Sequence, residues 1–547
     1  MNELKHINNS DKGLIASIKE FYFSIASKKT FWLPVLLFTL LAYGFSLSRN
    51  TMSIDDMAID LYNGYDGMMV RSFRWGMEFW NFLFGVSGYS AYIYKFFGVL
   101  FLVCSSFFMC CIFYIISKKT EVKAFPYTFF ASVFITYPLI NEIWEYNGAN
   151  SYVTGNLMIV MFVILFQICS RSKYCIKIII SGLLMTLPVS SYESVTFVYI
   201  TVVFSVLFYQ NCIVTDKDTV NNRKNSWLME GVKYAIPLVI SVLLKYFIGS
   251  ILLVVQQVSY MPMGDISINW GDLSIGRLFS LSLNTVEKYL LLINYYPIYI
   301  FLIALIVFII ILIKTCIIRK SWLPIIIGIC TIISLFALSI LQFSVLKFRT
   351  AQTLNYFVAF VVFLMCHNIR MIKWKTVKVV IVVLITMLTI WQSTYLSQVL
   401  EWNNQRSENE ISIVRNLGVE LTKDYKDKEI VFCGSYALGE YLTEKPINGV
   451  KSPLNNLLQS LITQISYHKN RYSSKPMDTN INSCLNWAVS SGFPSVTKRI
   501  FSYCGFDLNV RDVSSDEYIE YTNYAESINM NTFEVKDIGE CVLVYLG

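Results

Sequence analysis

The sequence predicts a polytopic α-helical membrane protein with a soluble α/β domain at its C-terminal end. Three observations carry this: long intervals without a charged residue, a one-sided distribution of Lys and Arg between them, and a change of composition after Leu400. Of 547 residues, 55% are hydrophobic and only 15% charged, where soluble proteins carry about 25% charged residues. With 12 Pro, 25 Gly and 13 Cys, the composition excludes a single soluble globule, a disordered chain and a small disulfide scaffold.

A charged side chain at the centre of a bilayer costs about 2.5 to 3.5 kcal/mol even on the mildest scale, so charge-free intervals mark crossings. Ten such intervals run 31–48, 96–117, 124–141, 146–170, 178–192, 194–215, 289–313, 321–346, 350–369 and 379–400. An eleventh, about 227–253, is interrupted by charges, Lys233 and Lys245 among them. Most approach the roughly 20 residues a crossing helix needs. The interval 178–192 has 15, so its helix is expected either to take in Cys175 and Lys177, the lysine snorkelling to the surface, or to sit in a thinned region of the bilayer.

Eleven crossings place the termini on opposite sides. With the N-terminus inside, the cytoplasmic connections hold 22 Lys and Arg, against eight on the other side before the C-terminal tail: Arg49, Arg71, Arg74, Lys95, Arg277, Lys288, Lys347 and Arg349. The positive-inside rule therefore sets the N-terminus in the cytoplasm. Residues 1–30 form a cytoplasmic leader in which Leu14, Ile15, Ile18, Phe21, Tyr22 and Ile25 recur at helical spacing, as in an amphipathic helix lying on headgroups. No cleavable signal peptide is expected, because the first apolar run is as long as a crossing. Residues 31–400 form the membrane body, with a first external loop over 49–90.

Residues 401–547 carry 14 Lys and Arg against 19 Asp and Glu, a net of −5. This tail is expected to be a soluble α/β domain outside the cytoplasm, with strands at 429–434 and 541–545 and a helix at 454–466. An oxidising compartment permits disulfides among Cys433, Cys484, Cys504 and Cys541, with Cys484 to Cys504 favoured because the other two lie on apolar strands.

Chemistry is expected where polar residues are crowded at the external face. The richest stretch follows the first crossing: Arg49-Asn50, Ser53-Ile54-Asp55-Asp56, Asp60, Asp66, Arg71, Arg74-Trp75-Gly76 and Glu78. Adjacent carboxylates raise one another's pKa, which suits a base that takes a proton from a hydroxyl. The same pair also fits a helix start, with Ser53 or Asp55 as N-cap and Asp56 on the positive end of the dipole. Further polar clusters are Glu142 to Asn147, Ser190 to Glu193, Lys245 within a crossing, and Lys347 with Arg349. Acids that deprotonate an acceptor and cations that hold a phosphate leaving group together describe transfer from a lipid-phosphate sugar. His6, His367 and His468 are far apart in sequence, so no metal ion, no other cofactor and no catalytic His is expected.

The order Arg49-Asn50, Ser53-Ile54-Asp55-Asp56, Arg74-Trp75-Gly76, Glu142 to Tyr146, Ser191-Tyr192-Glu193 and Phe348-Arg349-Thr350 resembles the serotype-converting O-antigen glucosyltransferases of the GtrII type over roughly residues 30–400. Such proteins resemble the GT-C glycosyltransferases, in which an acidic residue of the first external loop is the base. The resemblance implies a GT-C-like enzyme of the bacterial inner membrane that moves glucose from undecaprenyl-phosphate glucose to lipid-linked O-antigen on the periplasmic face, with inversion. Asp56, followed by Asp55, is then the expected base; Arg49, Arg74, Glu142, Glu145, Glu193, Lys245 and Arg349 are the expected substrate-binding residues. Membrane lipids, a flippase and the donor-synthesising membrane proteins are the expected partners, and nucleic acid is not. A flippase or transporter of a lipid-linked sugar, an O-antigen polymerase or ligase, and a non-catalytic scaffold are the competing readings; no internal repeat supports a transporter.

Overall fold

A computed structural model describes residues 13–49, 51, 68–84, 91–117, 123–140, 143–144, 147–214, 226–260, 274, 276–277, 280–283, 286, 298–342, 350–369, 374–436, 484–490 and 492–547. Residues 14–424 build a helical bundle: α1 (Leu14–Phe21), α2 (Lys29–Leu47), α3 (Met68–Arg71), α4 (Gly76–Leu83), α5 (Ala91–Ile116), α6 (Phe125–Thr136), α7 (Asn147–Cys169), α8 (Tyr174–Ser191), α9 (Glu193–Phe208), α10 (Ser226–Val255), α11 (Ile298–Arg319), α12 (Leu323–Gln342), α13 (Gln352–Asn368) and α14 (Lys375–Asp424). Helices are the form such apolar runs must take in lipid, because each backbone N–H and C=O is satisfied within its own segment. Hydroxyls enter the bundle by bonding back to their own helix, as Thr39 does to the Val35 carbonyl (2.7 Å) and Thr389 to that of Ile385 (2.8 Å).

Nine of the described helices are long and apolar enough to cross a membrane, where the sequence predicts eleven. The third and tenth expected crossings are α6 and α13, of 12 and 17 residues. Both are buried along almost their whole length, α6 against α2, α5, α13 and α14. A helix sheathed by others meets lipid over little of its surface, so the length that charge-free intervals measure does not apply to it. Phe113, Phe130, Tyr209, Phe360 and Phe363 fill the centre, with Phe113 stacked on Phe363 at 4.2 Å between centroids. Polar ties cross between helices: the Tyr43 hydroxyl donates to the Ile135 carbonyl at 2.7 Å, and the Ser194 hydroxyl to Gln352 Oε1 at 2.8 Å.

The amphipathic leader is a helix, as its spacing predicts, but it is not only a surface element. Phe21 and Ile25 are fully buried, and Phe21 meets the rings of Phe31, Phe107, Tyr114 and Tyr127 at 5.2–6.0 Å. Ile15 and Phe23 remain on the outside. Helix α8 begins at Tyr174, so it takes in Cys175 and Lys177, the first of the two alternatives for the short interval, and Lys177 Nζ donates to the Gln167 carbonyl at 3.4 Å.

One helix joins the body to the tail across Leu400. Helix α14 runs on for 24 residues beyond it, and Val414, Leu417 and Leu421 of this extension are buried in the core of the C-terminal part. That part comprises β1 (Ile430–Cys433), α15 (Cys484–Ser490), α16 (Pro494–Tyr503), α17 (Ser515–Ser527), β2 (Glu534–Asp537) and β3 (Val542–Tyr545), with strand order β1-β3-β2. β1 is parallel to β3, Ile430 opposite Val542, and β2 is antiparallel to β3. Alternation sends Ile430, Phe432, Val542 and Val544 to the face covered by α14, α15 and α16, and Val431, Cys433, Leu543 and Tyr545 to the face holding Ala525 of α17. The buried carboxylate of Glu410 on α14 accepts the Leu485 N–H at 2.7 Å, fastening the first turn of α15. The helix expected at 454–466 lies outside the described residues. Cys484 and Cys504, the pair expected to form a disulfide, are not bonded to each other, and Cys433, Cys484 and Cys541 pack as small buried side chains.

Candidate active site

Three of the charged residues singled out in the sequence converge at one point. Arg74 Nη2 lies 2.8 Å from Glu193 Oε2 and its Nε 3.5 Å from Oε1, while Lys245 Nζ lies 3.4 Å from the same Oε1. The site stands at the start of α9 and the finish of α8, the end of both helices away from the basic residues Arg171, Lys173 and Lys177.

Each member is placed by local chemistry. Helix α8 finishes at Ser191, Tyr192 alone is extended (φ −152°, ψ 109°), and Glu193 opens α9. A carboxylate in the first turn is favoured by the helix dipole. The Ser190 and Ser191 hydroxyls fold back onto the Leu187 carbonyl at 3.2 and 2.7 Å. Their small size admits Gly76 of α4 so closely that an added Cβ would lie 2.4 Å from Ser191 Oγ and 2.9 Å from the Leu187 oxygen. Gly76→Ala is therefore expected to push α4 off α8, costing about 1–3 kcal/mol of stability by overpacking. A thermal-melting midpoint in detergent equal to that of the unmodified protein would refute this packing.

Arg74 is aimed by a turn. Helix α3 closes with the Phe73 N–H on the Val70 carbonyl (3.0 Å) and the Arg74 N–H on that of Met69 (2.7 Å), the paired bonds of a Schellman motif. Phe73 occupies the left-handed position, φ 57°, that glycine usually takes. Its ring offsets that strain by packing on α10, where a Cβ on Gly249 would collide with Phe73 Cδ1 at 1.9 Å, and beside Tyr246 at 5.3 Å. The next residue, Trp75, donates its indole N–H to the Lys245 carbonyl at 3.2 Å. Thus the turn that presents Arg74 is docked on the helix that presents Lys245. Burial works against the Arg74 charge, but the Glu193 carboxylate outweighs it and raises the guanidinium above its ordinary value. Tyr152 and Tyr192 stand beside Arg74, their rings 6.0 Å apart.

Arg49 does not join this cluster. Its guanidinium lies over the Phe45 ring and 3.5 Å from Glu408 on the extension of α14. Asp55, Asp56, Glu142, Glu145, Lys347 and Arg349 lie outside the described residues. Sequence reasoning missed Lys95, counted among external loop charges but 1% exposed near the start of α5. Its ammonium donates to the Arg49 carbonyl at 2.9 Å and to Thr51 Oγ1 at 3.4 Å, so it holds the chain where it leaves α2. The signal was there: a lone cation within the first turns of an otherwise uncharged 26-residue helix. Among the described residues no group of His, Cys, Asp and Glu is arranged to hold a metal ion.

No curated protein and no solved structure matches the chain. The sequence profile of Glucosyl transferase GtrII matches residues 44–387, a span that holds Arg74, Glu193 and Lys245. With well over half its length matched, and with the motifs and apolar helices described above, the chain belongs to the GtrII glucosyl transferase family.

Proposed function

We propose that the protein transfers glucose from a polyprenyl-phosphate donor, undecaprenyl-phosphate glucose, to lipid-linked O-antigen at the periplasmic face of the inner membrane. The observation that carries this reading is the convergence of Arg74 and Lys245 on a single anionic position at the end of the bundle away from its basic connections. A family of glucosyl transferases acting beside lipid has use for two cations there, where a phosphate leaving group acquires charge. In an inverting displacement the acceptor oxygen attacks the anomeric carbon, the bond from that carbon to the phosphate oxygen breaks, and the lipid phosphate departs with the electron pair. Arg74 and Lys245 then stabilise the departing phosphate. The hydroxyl proton passes to Asp56 or Asp55, which follow Thr51 by five and four residues in the chain. Lys95 contributes by fixing the backbone from which that segment starts.

Purified protein incubated with synthetic polyprenyl-phosphate glucose and O-antigen is expected to yield one added hexose on the acceptor and free lipid phosphate, both read by mass spectrometry. Lipid phosphate released without a modified acceptor, or no reaction with this donor, would overturn the reading.

A further inference from the structure

The accessibilities within the Arg74–Glu193–Lys245 cluster are ordered. The Lys245 side chain is 8% exposed, that of Arg74 27%, and that of Glu193 40%. The carboxylate is therefore the most exposed member of the cluster and Lys245 the least. Its two oxygens accept from Arg74 Nε, Arg74 Nη2 and Lys245 Nζ, the same donors a phosphate monoester anion would recruit through two of its oxygens. An arriving phosphate thus meets cations already engaged by an anion of the protein itself.

We infer that Glu193 occupies the place of the phosphate in the ligand-free protein, a resident counter-ion that yields Arg74 and Lys245 to a phosphate monoester and takes them back when it leaves. This rests on the donor reading above and replaces the expected direct binding of substrate by Glu193 with competition for the same cations. Three features support it. Two cations left side by side without an anion would repel one another, so the empty site needs one. Glu193 sits at the first position of α9, where the dipole favours its charge independently of the cations, so the carboxylate has a second source of stabilisation when they are engaged elsewhere. Competition by a tethered carboxylate also weakens the hold on the lipid phosphate product, which must leave before another donor binds.

The test compares the unmodified protein with Glu193→Gln and Glu193→Asp, full-length and in detergent. The probes are inorganic phosphate and farnesyl phosphate, with farnesol as the uncharged control. Glu193→Gln keeps the shape and removes the competing charge; it is expected to bind farnesyl phosphate about tenfold more tightly, the factor that one charge-assisted hydrogen bond accounts for. In steady-state transfer both KM for the donor and kcat should fall, since binding tightens and release slows. Glu193→Asp, still charged, should stay close to the unmodified affinity. If Glu193→Gln is only marginally folded, the same inference predicts a larger rise in melting temperature on adding phosphate than the unmodified protein shows. A response to inorganic phosphate identifies the phosphate group as the ligand; a response to farnesyl phosphate alone identifies the lipid-linked form; either supports the inference. Equal or weaker phosphate binding by Glu193→Gln, or a response to farnesol, overturns it. A raised donor KM with unchanged phosphate affinity also overturns it and makes Glu193 a direct contact of the donor. These results are distinct from failure of the donor reading, which is decided by hexose transfer from the polyprenyl-phosphate donor.

Discussion

Asp56→Asn is expected to lower glucose transfer by about 10² to 10⁴, the range by which a positioned general base accelerates a reaction. Asp55→Asn is expected to have a smaller effect, because adjacent residues cannot both point the same way and one of the two must orient its neighbour or cap the backbone. Asparagine keeps the size and capping capacity of aspartate while removing its basicity, so the alternative role predicts almost no change: a lost cap costs about 1 kcal/mol of stability and leaves turnover intact. The measurement is the initial rate of hexose addition, with membrane insertion and melting temperature followed in parallel. Near-normal rates for both variants would move the search for the base to Glu142, Glu145 and Glu193, the acids of the later motifs in the sequence pattern.

Arg74→Met and Lys245→Met are each expected to reduce kcat/KM for the lipid-linked donor by about ten- to a hundredfold, as loss of one charge-assisted contact to a phosphate entails. Arg74→Lys should recover only part of this, because the Nε and Nη2 fork that now spans both Glu193 oxygens cannot be reproduced by an ammonium. The double variant should lose less than the product of the single losses, since both cations act on one anion and neighbours in one network do not add. Steady-state kinetics over a range of donor concentrations decides the matter, with size-exclusion profiles to confirm that Glu193, short of one partner, is still held in a folded chain. Unchanged kcat/KM in both variants would remove the phosphate from this cluster altogether.

Much of the bundle was legible because lipid imposes a simple rule on composition: charge-free length marks a helix, and α2, α5, α7 to α12 and the first half of α14 follow it. Helices α6 and α13 also lie in charge-free intervals but are shorter than them, in surroundings of protein, and beyond Leu400, where composition turns polar, α14 continues because its buried stripe of Val414, Leu417 and Leu421 meets a different core. The site was legible as a set of residues and not as an arrangement. Lys245 stands out as a charge within a crossing, Glu193 as one between two apolar runs and Arg74 as part of the polar first external loop, but they are 119 and 52 residues apart in the chain. Their meeting depends on a phenylalanine in a left-handed turn and on glycines at close approaches, which no periodicity records. Lys95 was misread for a related reason: a count that assigns charges to loops cannot tell a buried ammonium bonded to a carbonyl from a solvated one.

The brevity of α6 carries a consequence for biogenesis. Its 12 residues reach only about 18 Å at 1.5 Å per residue, well short of a hydrocarbon layer of about 30 Å. The apolar stretch around it, Phe125–Ile140, is longer, so the nascent sequence offers more to insertion machinery than the folded helix spans. Two of the helices that enclose it, α13 and α14, are synthesised more than 200 residues later. The folded surroundings of α6 are therefore complete only after the C-terminal half of the bundle arrives, and Gln392 of α14, which receives the Thr136 hydroxyl at 3.4 Å, belongs to the last of these partners in chain order. Assembly of this enzyme is in that respect less a sequence of independent insertions than a closure, completed only when its final membrane helix has been made.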